Sequence, residues 1–380
     1  MKILYVANVR IPTEKAHGIQ IMKMCEAFAR LGQEVTLAVP PRKNPLESED
    51  PFRFYGVERS FSMVTIPVPD VTSFASLLGS LAWKLQAWLF QRAARRWLLH
   101  QSAEIYYFRE SLEAVASPYP EKTVLEVHTC YPGTKRHLRR LKGVRLFLPI
   151  TKALAEELEG LGISKEKILV APDGVDLRVF EHLTARDDAR VEPNLPQKKF
   201  LVLYAGNLFR WKGVYTLAEA ARFLREDTLV VFVGGSPQEL NQFHQFLSAQ
   251  GITNVNLVGW KPPKEIPKYL AAADVLVLPN SAKEPIGARY TSPLKLFEYM
   301  AAGRPIVASD VPAIREILDE TTAYLVSPDD PVALAKGILQ ALADPAGAGK
   351  KAEVASRRVQ QYSWTERSRR IVNRLNSAVW

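Results

Sequence analysis

Two α/β domains, each a doubly wound parallel sheet with helices on both faces, are predicted by three observations. Short apolar runs alternate with helical patterns from end to end, as expected of parallel strands joined by helical crossovers. Near residue 185 the alternation breaks into TARDDARVEPNLPQKK, residues 184–199, a polar and proline-bearing stretch that reads as a linker. A fresh apolar run, FLVLYAG, then starts at Phe200, much as a domain starts. With 380 residues the chain can build two cores.

In the first domain, residues 3–6 read as a strand, 19–31 as an amphipathic helix closed by Gly32, and 35–39 as the next strand. Strands at 123–127 and 146–150, a helix at 153–161 and a strand at 168–171 follow. In the second, the strand from Phe200 leads to a helix at 215–224, strands at 229–233 and 255–258, a helix at 266–272 and a strand at 275–278. The segment TSPLKLFEYMAAGRPIVASD, 291–310, comes next. Ser292 and Pro293 read as the N-cap and first residue of a helix stopped by Gly303 and Pro305, with a buried strand at 306–308. The final stretch, 362–380, is amphipathic and starts from a Ser363 cap. The expected domains are 1–188, 196–360 and a closing helix, 361–380. Ligands of such sheets sit beyond the carboxyl ends of the strands, here facing a cleft between the halves.

Composition narrows the partners. The net charge of +10 and pI near 9.4 favour anionic partners: phosphorylated molecules, anionic membrane or nucleic acid. The excess divides equally about residue 190, +5 on each side, and no recognition motif is present, which argues against nucleic acid. Cys25 and Cys130 offer neither a disulfide framework nor metal-ligand spacing and fit a reducing compartment. The opening apolar run is too short for a signal peptide, and no run of 18 apolar residues exists to span a membrane.

Four places could carry chemistry. AGNLFRWKG, 205–213, puts Asn207, Arg210 and Lys212 at a strand's carboxyl end, where an anion would sit, although surface loops also carry solvated cations. It is not a Walker A loop. The first turn of the helix from Pro293 offers free amides and a positive dipole end around Ser292, Pro293, Leu294 and Lys295. Glu298, one to two turns in, suits a ribose diol better than a phosphate; the alternative is a solvated acid or one paired with Lys295. EVHTCYPG, 126–133, sets His128 after a strand, as a ligand, base or structural residue. IPTEKAHGIQ, 11–20, sets Gly18 at the head of the first helix, where it permits close approach of a ligand, but no dinucleotide fingerprint surrounds it. No Asp-x-Asp pair exists to bridge a metal to a diphosphate.

Residues 73–100 interleave Trp83, Trp88, Phe90 and Trp97 with Lys84, Arg92, Arg95 and Arg96. They read either as a core helix with a solvated basic face or as a helix lying in a membrane interface. The cluster Lys135, Arg136, Arg139, Arg140, Lys142 and Arg145 could serve the same surface or a phosphorylated acceptor.

In this order, GIQIMKMCEAFARLGQEVTLAV (18–39), PITKALAEELEGLGISKEKILVAPDGVDLRVF (149–180), YAGNLFRWKG, AAADVLVLPNS (271–281) and LKLFEYMAAGRPIVASDVPAIREIL (294–318) resemble the retaining glycosyltransferases of family 4 over nearly the whole chain. The resemblance implies the GT-B fold of two Rossmann-like domains, with the last helix crossing back to the first. It implies sugar transfer from a nucleoside-diphosphate sugar to a glycan or lipid-linked acceptor with no cofactor or metal. A cytoplasmic protein, peripheral at the inner face of the cell membrane, follows from it. Glu298 matches the ribose-binding second glutamate of the family's Glu-x7-Glu motif. The first, which contacts the donor sugar, falls on Tyr290, and Glu284 is the nearest upstream acid. Lys212 matches the family's phosphate-binding lysine. Its arginine partner falls on Asn207, leaving Arg210 as the substitute. His128 matches an acceptor-side histidine beside the reacting carbon, Gly18 the glycine loop, and Gly259 and Trp260 the base-recognition region. A sugar-nucleotide epimerase of the same fold and a non-catalytic sugar-nucleotide sensor are the alternatives.

Overall fold

A computed structural model of the chain describes residues 1–72 and 79–377. It divides into two compact units: Met1–Pro172 together with the segment from Trp364 onward, and Asp173–Ser363.

The first unit is a six-stranded parallel sheet. Its strands are β1 (Lys2–Val6), β2 (Glu34–Val39), β3 (Ser62–Thr65), β4 (Ile105–Phe108), β5 (Thr123–Val127) and β6 (Leu146–Pro149), in the order β3-β2-β1-β4-β5-β6. Strands β4, β5 and β6 are buried throughout, as parallel strands covered on both faces must be. Helix α1 (Ala16–Arg30) packs Ile21, Met22, Cys25 and Phe28 inward. Helices α2 (Ser80–Leu98) and α3 (Pro132–Arg140) follow in the chain. The second unit repeats the plan with β7 (Phe200–Ala205), β8 (Thr228–Val233), β9 (Val255–Gly259), β10 (Val275–Leu278), β11 (Ile306–Ser309) and β12 (Tyr324–Val326), ordered β12-β11-β10-β7-β8-β9 and parallel throughout. Its helices α4 (Val214–Ala220), α5 (Pro237–Ala249) and α6 (Leu294–Ala301) carry the candidate site. Helix α7 (Trp364–Asn376), from the end of the chain, belongs to the first unit and lies against α1.

Both sheets reverse direction next to their first strand, between β1 and β4 and between β7 and β10. In doubly wound sheets ligands bind beyond the carboxyl ends of the strands at such a reversal of strand order.

Three expectations are corrected. The stretch 184–199 is not a free linker, and the units part at Pro172 and Asp173. Arg190 is 1% exposed and draws the stretch together: its Nε donates to the Ala272 carbonyl at 2.9 Å, Nη1 to the Lys199 carbonyl at 3.0 Å and Nη2 to Asp274 Oδ2 at 2.7 Å. Ala189 and Leu195 join the core of the second unit. Residues 168–171 run beside β6, with one bridge from Ile168 to Phe147 and the Leu169 and Ala171 amides donating to the Phe147 and Pro149 carbonyls at 2.9 Å, but form no continuous strand. Ser292 does not cap α6, which starts at Leu294 with Pro293 at the cap and no side chain on its first turn. The Ser292 Oγ instead accepts from the Asp173 amide at 2.9 Å.

Candidate functional site

The second unit's site is built where β7 ends. Gly206 (φ 135°) closes the strand and donates to the Val233 carbonyl at 2.8 Å. The loop then turns through a single 3-10 turn, Arg210–Lys212, to Gly213. Gly213 has φ 71°, and a Cβ there would fall 1.6 Å from the Pro279 carbonyl oxygen. Only glycine lets the β7 loop press against the β10 loop, and the Ser281 amide donates to the Trp211 carbonyl at 3.1 Å to hold the contact.

Helix α6 is pinned to the same strand end. The Ala205 amide donates to the Tyr299 hydroxyl at 2.8 Å. Its unfilled first turn leaves backbone amides for an anion. Three ionisable side chains gather nearby. Burial pushes the Lys212 ammonium down to about 8, while Glu239 opposes the shift; its Nζ reaches the Asn207 Oδ1 at 3.4 Å. Burial pushes Glu298 up to about 7 against the attraction of Lys295. Burial, reinforced by Lys212, holds Lys295 well below the usual lysine range, with Glu298 pulling the other way.

The remaining positions divide. Arg210 is exposed and stacks 4.3 Å over the Tyr215 ring, itself packed on Phe243 and Phe246, so its guanidinium is spent on the outer side of α4 and α5. Tyr290 is buried, with its amide on the Pro285 carbonyl at 3.1 Å. Gly259 (φ 81°) accepts from the Gly234 amide at 2.7 Å, and Trp260 is 40% exposed beside it. Sequence reasoning passed over Gly234. A Cβ at that position would lie 2.4 Å from the Gly206 carbonyl oxygen, so the β7 and β8 ends approach only through glycine. The Gly-Gly pair straight after a strand is the signal that marks it. Among the described residues no group of three or more His, Cys, Asp or Glu side chains is arranged to hold a metal ion.

The first unit gathers a second polar cluster on β4, β5 and α1. Glu126 is fully buried. Its Oε1 accepts from Arg367 Nη1 at 2.8 Å and from the Tyr107 hydroxyl; its Oε2 accepts from Gln20 Nε2 at 2.7 Å and faces His128 Nε2 at 2.9 Å. Burial alone would raise its pKa, but Arg367 and His128 hold the carboxyl well below the usual range. His128 Nδ1 lies 3.4 Å from Arg109 Nη2, so both ring nitrogens are engaged and the ring is held in place. His17, which the sequence reading did not single out, is kept neutral by burial and then by Arg109, Lys15, His128 and Arg10, its pKa pushed down to about 3. The space that a side chain at Gly18 would take is held by Tyr55. A Cβ there would meet the Tyr55 hydroxyl at 2.2 Å, and that hydroxyl is fixed between the Thr13 amide at 2.6 Å and carbonyl at 2.9 Å.

Of the 73–100 stretch, residues 73–78 lie outside the described residues, and α2 begins at Ser80. It buries Ala82, Gln86, Phe90, Ala94 and Leu98 and turns Leu81, Trp83 and Trp88 outward, each more than half exposed. In the basic cluster, Lys135 pairs with Glu157 at 2.6 Å and Arg145 donates to the Leu375 carbonyl at 2.8 Å. Among the described residues no helix is long and apolar enough to cross a membrane.

Two family models match the chain: Glycosyltransferase Family 4 over residues 18–179 and Glycosyl transferases group 1 over residues 199–344. A D-inositol 3-phosphate glycosyltransferase of Xylanimonas cellulosilytica is 31% identical over 229 residues, covering 57% of this chain and 53% of its own. The chain spans about half the length of the curated relatives it matches. Sucrose-phosphate synthase from Thermosynechococcus elongatus superposes with a TM-score of 0.78 at 20% identity, over 98% of this chain and 97% of its own. Anabaena HepE in complex with UDP and glucose does so with 0.75 at 18%, over 99% and 100%. These neighbours carry the GT-B architecture of two parallel six-stranded sheets seen here. With one model on each sheet's segment and the fold in agreement, the chain belongs to the family 4, group 1 glycosyltransferases.

Proposed function

We propose that this protein is a retaining glycosyltransferase that moves a sugar from a nucleoside-diphosphate sugar to a glycan or lipid-linked glycan, with protein groups rather than a metal meeting the diphosphate charge. The observation that carries the reading is the convergence of Lys212, the open first turn of α6 and Glu298 at the β7–β10 switch point. Breaking a sugar–phosphate bond places positive charge on the anomeric carbon and negative charge on the departing diphosphate. Preorganised cations and amides stabilise the latter, and removing one such group costs on the order of 3 kcal/mol of barrier, roughly a hundredfold in rate. Glu298 accepts the two ribose hydroxyls. The acceptor hydroxyl attacks from the face the diphosphate leaves, its proton passing to the leaving phosphate oxygen. His128, held by Glu126 and Arg109, orients the sugar and is not an obligate base. HepE binds UDP and glucose, which supports this class of donor. The names of two relatives, for teichuronic acid and amylovoran biosynthesis, support an acceptor in carbohydrate polymer assembly. The same reading places the protein in the cytoplasm, in peripheral contact with anionic membrane through α2.

A second reading, binding or epimerisation without transfer, is favoured by one observation. Tyr290 stands where the donor-sugar glutamate would be, and it is buried. The test is thermal-shift screening against UDP-, GDP- and ADP-sugars, with Glu298→Ala and Lys212→Ala alongside. A stabilising donor whose effect both variants abolish supports the site, and NMR of the product then reads the anomeric configuration. No stabilisation by any sugar nucleotide rejects the donor reading. Turnover of the donor to a converted sugar nucleotide with no acceptor rejects transfer.

A further inference from the structure

We infer that Lys295 is the second phosphate-binding cation of the donor site, an ammonium supplied from helix α6 where the β7 loop carries only Asn207. The inference rests on the donor reading above and deepens it.

Lys295 is 9% exposed, and its Nζ is buried with no hydrogen-bond partner among the described residues. A lysine whose role was to solvate a surface would reach water, and one whose role was structural would find an acceptor. The nearby acid does not fill that place: Lys295 and Glu298 form no ion pair, although their charges interact. What holds the ammonium is the Tyr204 ring, whose centroid lies 3.5 Å away. That ring is itself fixed, with its hydroxyl donating to the Asn207 carbonyl at 2.7 Å.

The ammonium is also aimed. A Cβ on Gly206 would stand 3.0 Å from Lys295 Nζ, so the tip of the side chain lies at the strand end itself. Glycine at 206 and asparagine at 207 leave that space without a cation of their own. Lys212 is close enough to depress Lys295 by charge repulsion. Two ammonium groups are thus held near each other, one with no acceptor and the other with a single long contact to Asn207. An arrangement that repels itself when empty becomes favourable when a diphosphate supplies the missing acceptors. Arg210, turned onto Tyr215, is not a competing candidate.

The experiment titrates the full chain calorimetrically with UDP, GDP and ADP and with uridine, guanosine and adenosine. The variants are Lys295→Met, Lys295→Gln, Lys212→Met and the double variant Asn207→Arg, Lys295→Met. In Lys295→Met the ligand-free protein should melt higher, because an unpartnered buried ammonium is replaced by an apolar chain of similar length. Its affinity for the diphosphate should fall roughly tenfold to a hundredfold, the scale of one charge-assisted contact, with nucleoside affinity unchanged. Asn207→Arg in that background should recover most of the loss, since it returns a cation to the same strand end. Lys295→Gln reports the same loss should the methionine variant fail to fold. The inference is overturned if the folded Lys295 variants bind the diphosphate within twofold of the wild type while Lys212→Met is weakened; the lysine is then a core residue. A wild-type protein that binds none of the three diphosphates overturns the donor reading and this inference with it.

Discussion

Replacing Arg367 with methionine should destabilise the first unit by about 3–5 kcal/mol at pH 7, the cost of leaving one partner of a buried ion pair unmatched. Both members of the pair are fully buried, and the guanidinium also binds the Pro172 carbonyl at 3.0 Å and the Ala171 carbonyl at 3.3 Å. Methionine fills the space and satisfies none of these acceptors. For a unit of this size each kcal/mol moves the melting temperature by about 2–4 °C, so a fall of about 6–20 °C is expected by calorimetry. The penalty should also depend on pH. The folded-state pKa of Glu126 lies below its ordinary value of 4.5, so its contribution is complete above that pH and fades as the pH falls toward the depressed value. Without Arg367 the buried carboxylate takes up a proton more readily, and acid relieves the variant while it weakens the wild type. The gap between the two should therefore narrow below about pH 4.5. Glu126→Gln in the same background should recover part of the loss, which a double-mutant cycle isolates. A variant that melts within 2 °C of the wild type at pH 7, or a gap that widens in acid, would refute the account of this clamp.

Three further outcomes are expected. Gly213→Ala should cost several kcal/mol, or prevent folding of the second unit, because its Cβ would fall 1.6 Å from a backbone oxygen at φ 71°; an unchanged urea midpoint would mean that the β7 and β10 loops are not locked together. Glu298, whose pKa is raised to about 7, holds a proton in the folded state that the unfolded chain has released. The ligand-free protein should thus lose on the order of 1–3 kcal/mol as pH rises from about 4.5 to 7, and Glu298→Gln should flatten that slope; equal slopes would place the carboxylate in water. Trp83 and Trp88, exposed on α2 beside Lys84 and Arg92, should carry the protein onto phosphatidylglycerol vesicles but not onto phosphatidylcholine at the same salt. Changing both to glutamate should abolish co-sedimentation, and unchanged binding would reject this helix as the contact.

The two-sheet architecture was legible because β7 and β10 are unbroken apolar runs, and a strand covered on both faces needs nothing else. Strand β4, Ile105–Phe108, escaped because it has four residues and two tyrosines, whose rings are buried all the same. Polarity misled at 184–199, where one arginine neutralises a run of backbone carbonyls that composition would leave to water. At Gly18 and Ser292 the limit is different. The spacing that marks a glycine or a hydroxyl does not say which neighbour will use it, and the neighbours, Tyr55 and Asp173, are 37 and 119 residues away.

The site shows the same limit from the other side. Sequence logic assigns the second cation by proximity along the chain and so reaches Arg210, two residues from Lys212. The fold assigns it by direction: a 3-10 turn aims residues 210 and 212 differently, and α6 brings a cation from more than eighty positions further on. The pattern was nonetheless present. Lys295, Glu298 and Tyr299 stand at i, i+3 and i+4 and share one face of an otherwise apolar helix. Tyr299 is spent on the end of β7, which turns Lys295 toward the strand end. A buried lysine on such a helix, with a half-buried glutamate one turn on, has no account in packing alone.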